Sequence, residues 1–147
     1  MRKGKRLIFY YPGRSVAHDL PTKRPDLLQP HILRSLANVK ATSIHTSAAS
    51  CHCIVLDADG TAWLFGRNTN SALGVVGVDE VSENAPRRVT PGQLKAAKGT
   101  RFVHAACGRT HSLLVGSGGE LWSVGLNNFG QVSRGGGGGC SGIYGGR

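Results

Sequence analysis

The sequence predicts an all-β fold of about two hairpin-built repeats, arranged as a propeller or another radial β array. Three observations lead there. From residue 44 onward, short apolar runs alternate with turn residues. A shift of 59 residues aligns two such stretches without a gap, giving six identities over residues 44–74. Ordinary composition would give roughly two. Finally, 147 residues that are 39% hydrophobic are enough for one packed domain and exclude a wholly disordered chain.

Residues 1–24 read as an irregular basic arm. Arg2, Lys3, Lys5, Arg6, Arg14, Lys23 and Arg24 face only Asp19, and a short strand candidate lies at 7–11. Residues 25–43 form a lead-in segment. Its leucines and Ile32 are spaced for an apolar helical face, but Pro30 interrupts it, so an extended turn and then a helical turn from His31 are expected. Residues 44–132 hold the two repeats, with cores at 44–74 and 103–132. Hairpins are expected over 53–65 and 112–124, with Asp59-Gly60 and Gly118-Gly119 supplying the positive φ of tight turns. A loose loop is expected over 75–83. Residues 133–147 read as a disordered tail, because 8 of the 22 glycines fall in the last 13 residues.

The identities are His45 with His104, His52 with His111, Gly60 with Gly119, Trp63 with Trp122, Gly66 with Gly125, and Asn68 with Asn127. Each suits a packing role. The glycines free the backbone at turns and strand ends. The tryptophans fill space between sheets, and the asparagines bond to nearby main chain. A histidine that recurs repeat by repeat is a structural hydrogen-bonding residue, since catalytic sites are not duplicated in this way.

Chemistry-bearing alternatives are weaker. Cys51-His52-Cys53 near His45 lacks the spacing of a zinc site, and strand alternation would set His52 opposite the two thiols. Four cysteines are too few for a disulfide scaffold, so an intracellular chain with reduced thiols is expected. The Arg109-Thr110-His111-Ser112 run has no orienting carboxylate, and the glycines at 135–139 lack a phosphate-loop context. No catalytic, cofactor or metal site is therefore assigned, and no apolar run is long enough to span a membrane.

The excess of 18 Lys+Arg over 8 Asp+Glu gives a net charge of +10 and points to anionic partners. Candidate contacts are Arg2, Lys3, Lys5 and Arg6 in the arm. Arg87 and Arg88 join them from a stretch, 85–109, that has six basic residues and no acidic one.

Cys107-Gly108-Arg109-Thr110-His111-Ser112-Leu113-Leu114, followed by Gly119-Glu120-Leu121-Trp122 and Gly125-Leu126-Asn127-Asn128-Phe129-Gly130-Gln131, resembles a regulator of chromosome condensation repeat. Residues 52–74 are similar, with Ser71-Ala72-Leu73-Gly74 in place of Gly-Gln-Leu-Gly and Ala48-Ala49 where Cys-Gly is usual. Leu28-Gln29-Pro30-His31 resembles the lead-in of the family's second, mitotic chromosome-associated branch. The resemblance covers residues 44–132. It implies a closed ring of seven blades, of which this chain has material for about two, so a partial β-propeller and a truncated product are expected.

It further implies a non-enzymatic nuclear protein whose relatives bind chromatin and small GTPases and regulate mitosis or nucleotide exchange. The alternative is a nucleic-acid binder working through the basic arm and the Arg134-Gly135-Gly136 tail. In the family fold Trp63 and Trp122 are expected at equivalent positions between blades, with Trp122 the more exposed for want of a following blade.

Overall fold

A computed structural model describes residues 33–75, 77–81 and 85–126, together with the backbone of 8–9, 31–32 and 144–146. The strands are β1 (Ile8–Phe9), β2 (His31–Ile32), β3 (Ala41–His45), β4 (His52–Asp57), β5 (Ala62–Arg67) and β6 (Glu80–Val81). They continue with β7 (Arg87–Val89), β8 (Phe102–Cys107), β9 (His111–Gly116), β10 (Leu121–Gly125) and β11 (Tyr144–Gly146). The described helices are single 3-10 turns at Arg34–Leu36, Thr69–Ser71 and Pro91–Leu94. None is long and apolar enough to cross a membrane.

The chain is all-β. Sheet I runs β3-β4-β5-β6, with β7 pairing the far end of β5; sheet II runs β8-β9-β10-β11. All pairings are antiparallel, and both expected hairpins form, as β4–β5 and β9–β10. Their turns suit the sequence: Gly60 sits at φ 78 and Gly119 at φ 85, which side chains resist.

Side chains alternate across each strand. In sheet I, Ile54, Leu56, Ala62 and Leu64 look toward sheet II, where Phe102, Ala105, Cys107, Leu114 and Trp122 meet them in the main core. The opposite face of sheet I carries Cys53, Val55 and Phe65, which pack with Leu36, Leu33 and Val39 of the lead-in. The main core is thus the junction between two blades.

The structure corrects several expectations. His31 is extended and pairs with Phe9; the helical turn begins at Arg34 and is 3-10. The loop over 75–83 contains β6, because the outer edge of β5 offers unpaired backbone groups at Gly66 and Arg67. For the same reason part of the tail, Tyr144–Gly146, is paired, running antiparallel to β10. The gapless register holds for the hairpins but not for the first strands. Ile44 faces Val55, whereas Ala105 faces Leu114, so β3 and β8 are related by 61 residues, not 59. The connection from β8 to β9 is correspondingly shorter. His45 and His104 are therefore not equivalent positions.

The tryptophans are also the reverse of expectation. Trp122 is 4% exposed, while Trp63 is half-buried. Both indoles look back toward the preceding blade. For Trp122 that blade is sheet I; among the described residues, Trp63 belongs to the smaller cluster formed with the lead-in.

Candidate functional site

The densest polar chemistry lies at the blade junction. His52 opens β4 and is 3% exposed. Its Nε2 is 2.8 Å from the Ser112 hydroxyl at the start of β9, and that hydroxyl is 2.7 Å from the Ala72 carbonyl. A serine has one hydroxyl hydrogen, so Ser112 donates to Ala72 and accepts from His52 Nε2–H. Three elements are tied by one hydroxyl. His52 Nδ1 is buried without a hydrogen-bond partner. Burial first, and the nearby His111 second, push the His52 pKa down to about 4. The neutral ring is the one that fits. Gly66, at φ 110, lets the β5 backbone pass against His52, where a Cβ would sit 2.7 Å from its Cα. Gly125 repeats this arrangement beside His111, with φ 111.

Two further side chains hold the loops of sheet I. Asp57 Oδ1 accepts the amides of Asp59 and Thr61 at 2.9 and 2.8 Å, and Oδ2 accepts the Trp63 indole N–H at 2.9 Å. Asn68, 2% exposed, donates through Nδ2 to the carbonyls of Val75 and Val78 and accepts the Leu73 amide at 2.8 Å. Both are buried polar groups whose bonds are made inside the fold.

The basic candidates disperse. Arg87 and Arg88 are neighbours on β7 and point to opposite sides. Arg87 turns inward, donates to the Leu73 carbonyl, and has its pKa lowered by burial. Arg88 is exposed and lies over Trp63, 5.8 Å from the ring centroid. Arg101 donates to the Ala58 carbonyl of the sheet I turn. Arg2, Lys3, Lys5, Arg6, Arg134 and Asn127 lie outside the described residues.

The described thiols differ in their surroundings. Cys51 is exposed, Cys53 faces the lead-in, and Cys107 sits in the junction with Sγ 3.2 Å from the His45 carbonyl. Burial pushes both Cys53 and Cys107 up to about 12, with Cys53 adding to the effect on Cys107. Among the described residues, no group of three or more His, Cys, Asp or Glu could hold a metal ion.

Nothing in the sequence marks the bonds that Ser112, Ala72 and Arg101 make across the junction. Ser112 drew attention only as a neighbour of His111, but its partner is sixty residues away in the other sheet. The Asp57-x-Asp59-Gly60 turn did carry a readable signal for Asp57, since aspartates commonly accept amides two residues on.

The regulator of chromosome condensation (RCC1) repeat model matches residues 59–115, and a second model of that repeat matches 102–131. Residues 59–131 of the chain are regulator of chromosome condensation repeats. The first matched repeat begins in the turn of sheet I and ends in β9, so the family repeat straddles two blades. The covalent unit of sequence crosses the junction that the core fills.

A protein RCC2 homolog from Xenopus laevis is 30% identical over 110 residues, covering 75% of this chain and 20% of that protein. The probable E3 ubiquitin-protein ligase HERC3 from Homo sapiens is 26% identical over 77% of this chain and 10% of its own length. Among solved structures, Prp20p from Saccharomyces cerevisiae, studied with its binding properties to Gsp1p and histones, aligns with TM-score 0.56 at 24% identity. That alignment covers 67% of this chain and 23% of Prp20p. The chain spans about a fifth of the RCC2 relative it matches.

Proposed function

We propose that the chain is a non-enzymatic interaction module that engages chromatin or a small GTPase in the nucleus. The observation that carries this reading is how the polar side chains are used. His52, Ser112, Asp57 and Asn68 each bond two or more segments of the chain to one another. Arg88 is exposed over Trp63, and the net charge of +10 suits anionic partners. The family relation supports the same reading, since Prp20p has been studied with Gsp1p and histones. The ligase name of HERC3 attaches to a protein of which this chain matches only 10%.

The test is binding of the purified chain to reconstituted nucleosomes and to a small GTPase in nucleotide-bound and nucleotide-free forms. Nucleosome binding should weaken steeply from low to physiological salt, because Lys and Arg contacts to phosphate release counterions. Deleting residues 1–6 removes Arg2, Lys3, Lys5 and Arg6 and should reduce that salt slope. An unchanged slope rejects the arm as the contact. Accelerated exchange requires a surface that distinguishes the two nucleotide states of the partner. Two blades should supply no such stimulation, and robust nucleotide release by the chain would reject the proposal. Absence of nucleosome and GTPase binding at low salt would do the same.

A further inference from the structure

His45 and His104 meet across the blade junction. Their ring centroids are 4.7 Å apart and the ring planes cross at 88°. His45 ends β3 and is half-buried; Ser43, two residues back on the same face, has its Oγ 2.9 Å from His45 Nε2. His104 is exposed on β8, at the irregular register between Phe102 and His104, a feature that re-aims side chains.

This pair is not a feature of the repeat. Ile44 corresponds to Ala105, so the counterpart of His45 in sheet II is Ala106, and that of His104 in sheet I is Ser43. The packing role argued for His52 and His111 from their recurrence therefore does not extend to His45 and His104.

The geometry suits metal ligation. An ion about 2.0–2.1 Å from one nitrogen of each ring, with its two bonds roughly 90–109° apart, sets the ring centroids about 4.5–5.2 Å apart. The observed 4.7 Å falls inside that range, and perpendicular planes let both rings present an edge to one ion. Burial first, and His104 second, lower the His45 pKa, so at neutral pH its ring has one N–H and one lone pair. The Ala105 backbone of β8 hydrogen-bonds that ring. Ligating histidines keep such a bond on the nitrogen away from the metal, because it fixes the orientation of the ring.

We propose that His45 and His104 form a binding site for one late first-row divalent cation, of the class Ni²⁺, Cu²⁺ or Zn²⁺, joining the first strands of the two blades. Imidazole selects these metals over Mg²⁺ and Ca²⁺, which take oxygen ligands. Two protein ligands leave the remaining positions to water, and the exposure of His104 gives the ion a way in. Because one ligand stands on each sheet, the ion binds when the blades are packed and holds them together.

Calorimetric titration of the full 147-residue chain with Ni²⁺ tests this. One ion should bind per chain. His104→Ala changes an exposed side chain, so circular dichroism should show an unchanged fold, and binding should weaken by about tenfold or more. Cys51→Ser, which removes the exposed thiol, should bind like the wild type. Ni²⁺ should also raise the urea midpoint of the wild type and leave that of His104→Ala unmoved. A wild-type chain that does not saturate below about 1 mM Ni²⁺ overturns the proposal. Undiminished binding by His104→Ala does so too, since the ion would then sit on other groups such as His18 or His31. A Cys51→Ser chain that no longer binds, or a bound ion that leaves the urea midpoint unchanged, overturns it as well.

Discussion

His52 of sheet I and Ser112 of sheet II share a hydrogen bond of 2.8 Å, and the same serine hydroxyl is committed to the Ala72 carbonyl. Two blades and the 3-10 loop of the first are thereby joined at one oxygen. The bond requires a neutral histidine with its proton on Nε2, since a second ring proton would sit on a buried Nδ1 that has no acceptor.

The stability of the fold should accordingly depend on pH. In the unfolded chain His52 titrates near 6.5; in the fold its pKa is about 4. Between those values the unfolded state binds more protons, so stability is fully present above pH 6.5 and falls as pH drops toward 4. The ceiling is about 3 kcal/mol. Burial, aided by His104, lowers the His45 pKa as well and acts in the same direction. Urea titrations at several pH values should show this fall, and His52→Gln should flatten it. Identical profiles for wild type and variant would dismiss His52 as the responsible group.

Ser112→Ala should cost about 2–3 kcal/mol, because it strands both the Ala72 carbonyl and the His52 N–H in the core. A double-mutant cycle with His52→Gln should give a coupling of more than about 0.5 kcal/mol. Simple additivity of the two changes would mean that the bridge contributes nothing.

The two turn glycines should respond unequally. Both adopt positive φ, so each Gly→Ala change costs about 1 kcal/mol or more for the backbone alone. At Gly60 the new methyl also collides with Arg101, whereas at Gly119 it enters open space. Gly60→Ala should therefore destabilise the chain more, and Arg101→Gly, which removes the Cβ it strikes, should relieve part of the difference. Equal melting-temperature losses at the two sites would contradict this account of the junction.

Cys53 and Cys107 should resist alkylation in the native state. Their pKa values near 12 leave almost no thiolate at pH 8, and both are buried. Exposed Cys51 should react with iodoacetamide before Cys53 and Cys107, which should react only as urea unfolds the chain. Peptide mass mapping of the labelled sites checks the order. Early labelling of Cys107 would show that the blade junction opens readily.

The sequence by itself determined the local units. Asp59-Gly60 and Gly118-Gly119 between alternating apolar runs specify hairpins, because positive φ and strand alternation are properties of a few neighbouring residues. Recurrence of His, Gly, Trp, Gly and Asn at one spacing identified the repeat for the same reason. Only the tertiary structure decided what depends on residues far apart in the chain. The two-residue offset between β3 and β8 arises in connections of unequal length, and identity matching placed His45 opposite His104 in spite of it. The greater burial of Trp122 depends on which way a blade's tryptophan faces, since strand alternation defines two faces but not which one meets the neighbouring sheet. The inward turn of Arg87 and the pairing of Ser112 with His52 likewise follow from packing sheet II on sheet I. Charge and spacing along the chain carry no record of that contact, because burial is set by what lies across the junction.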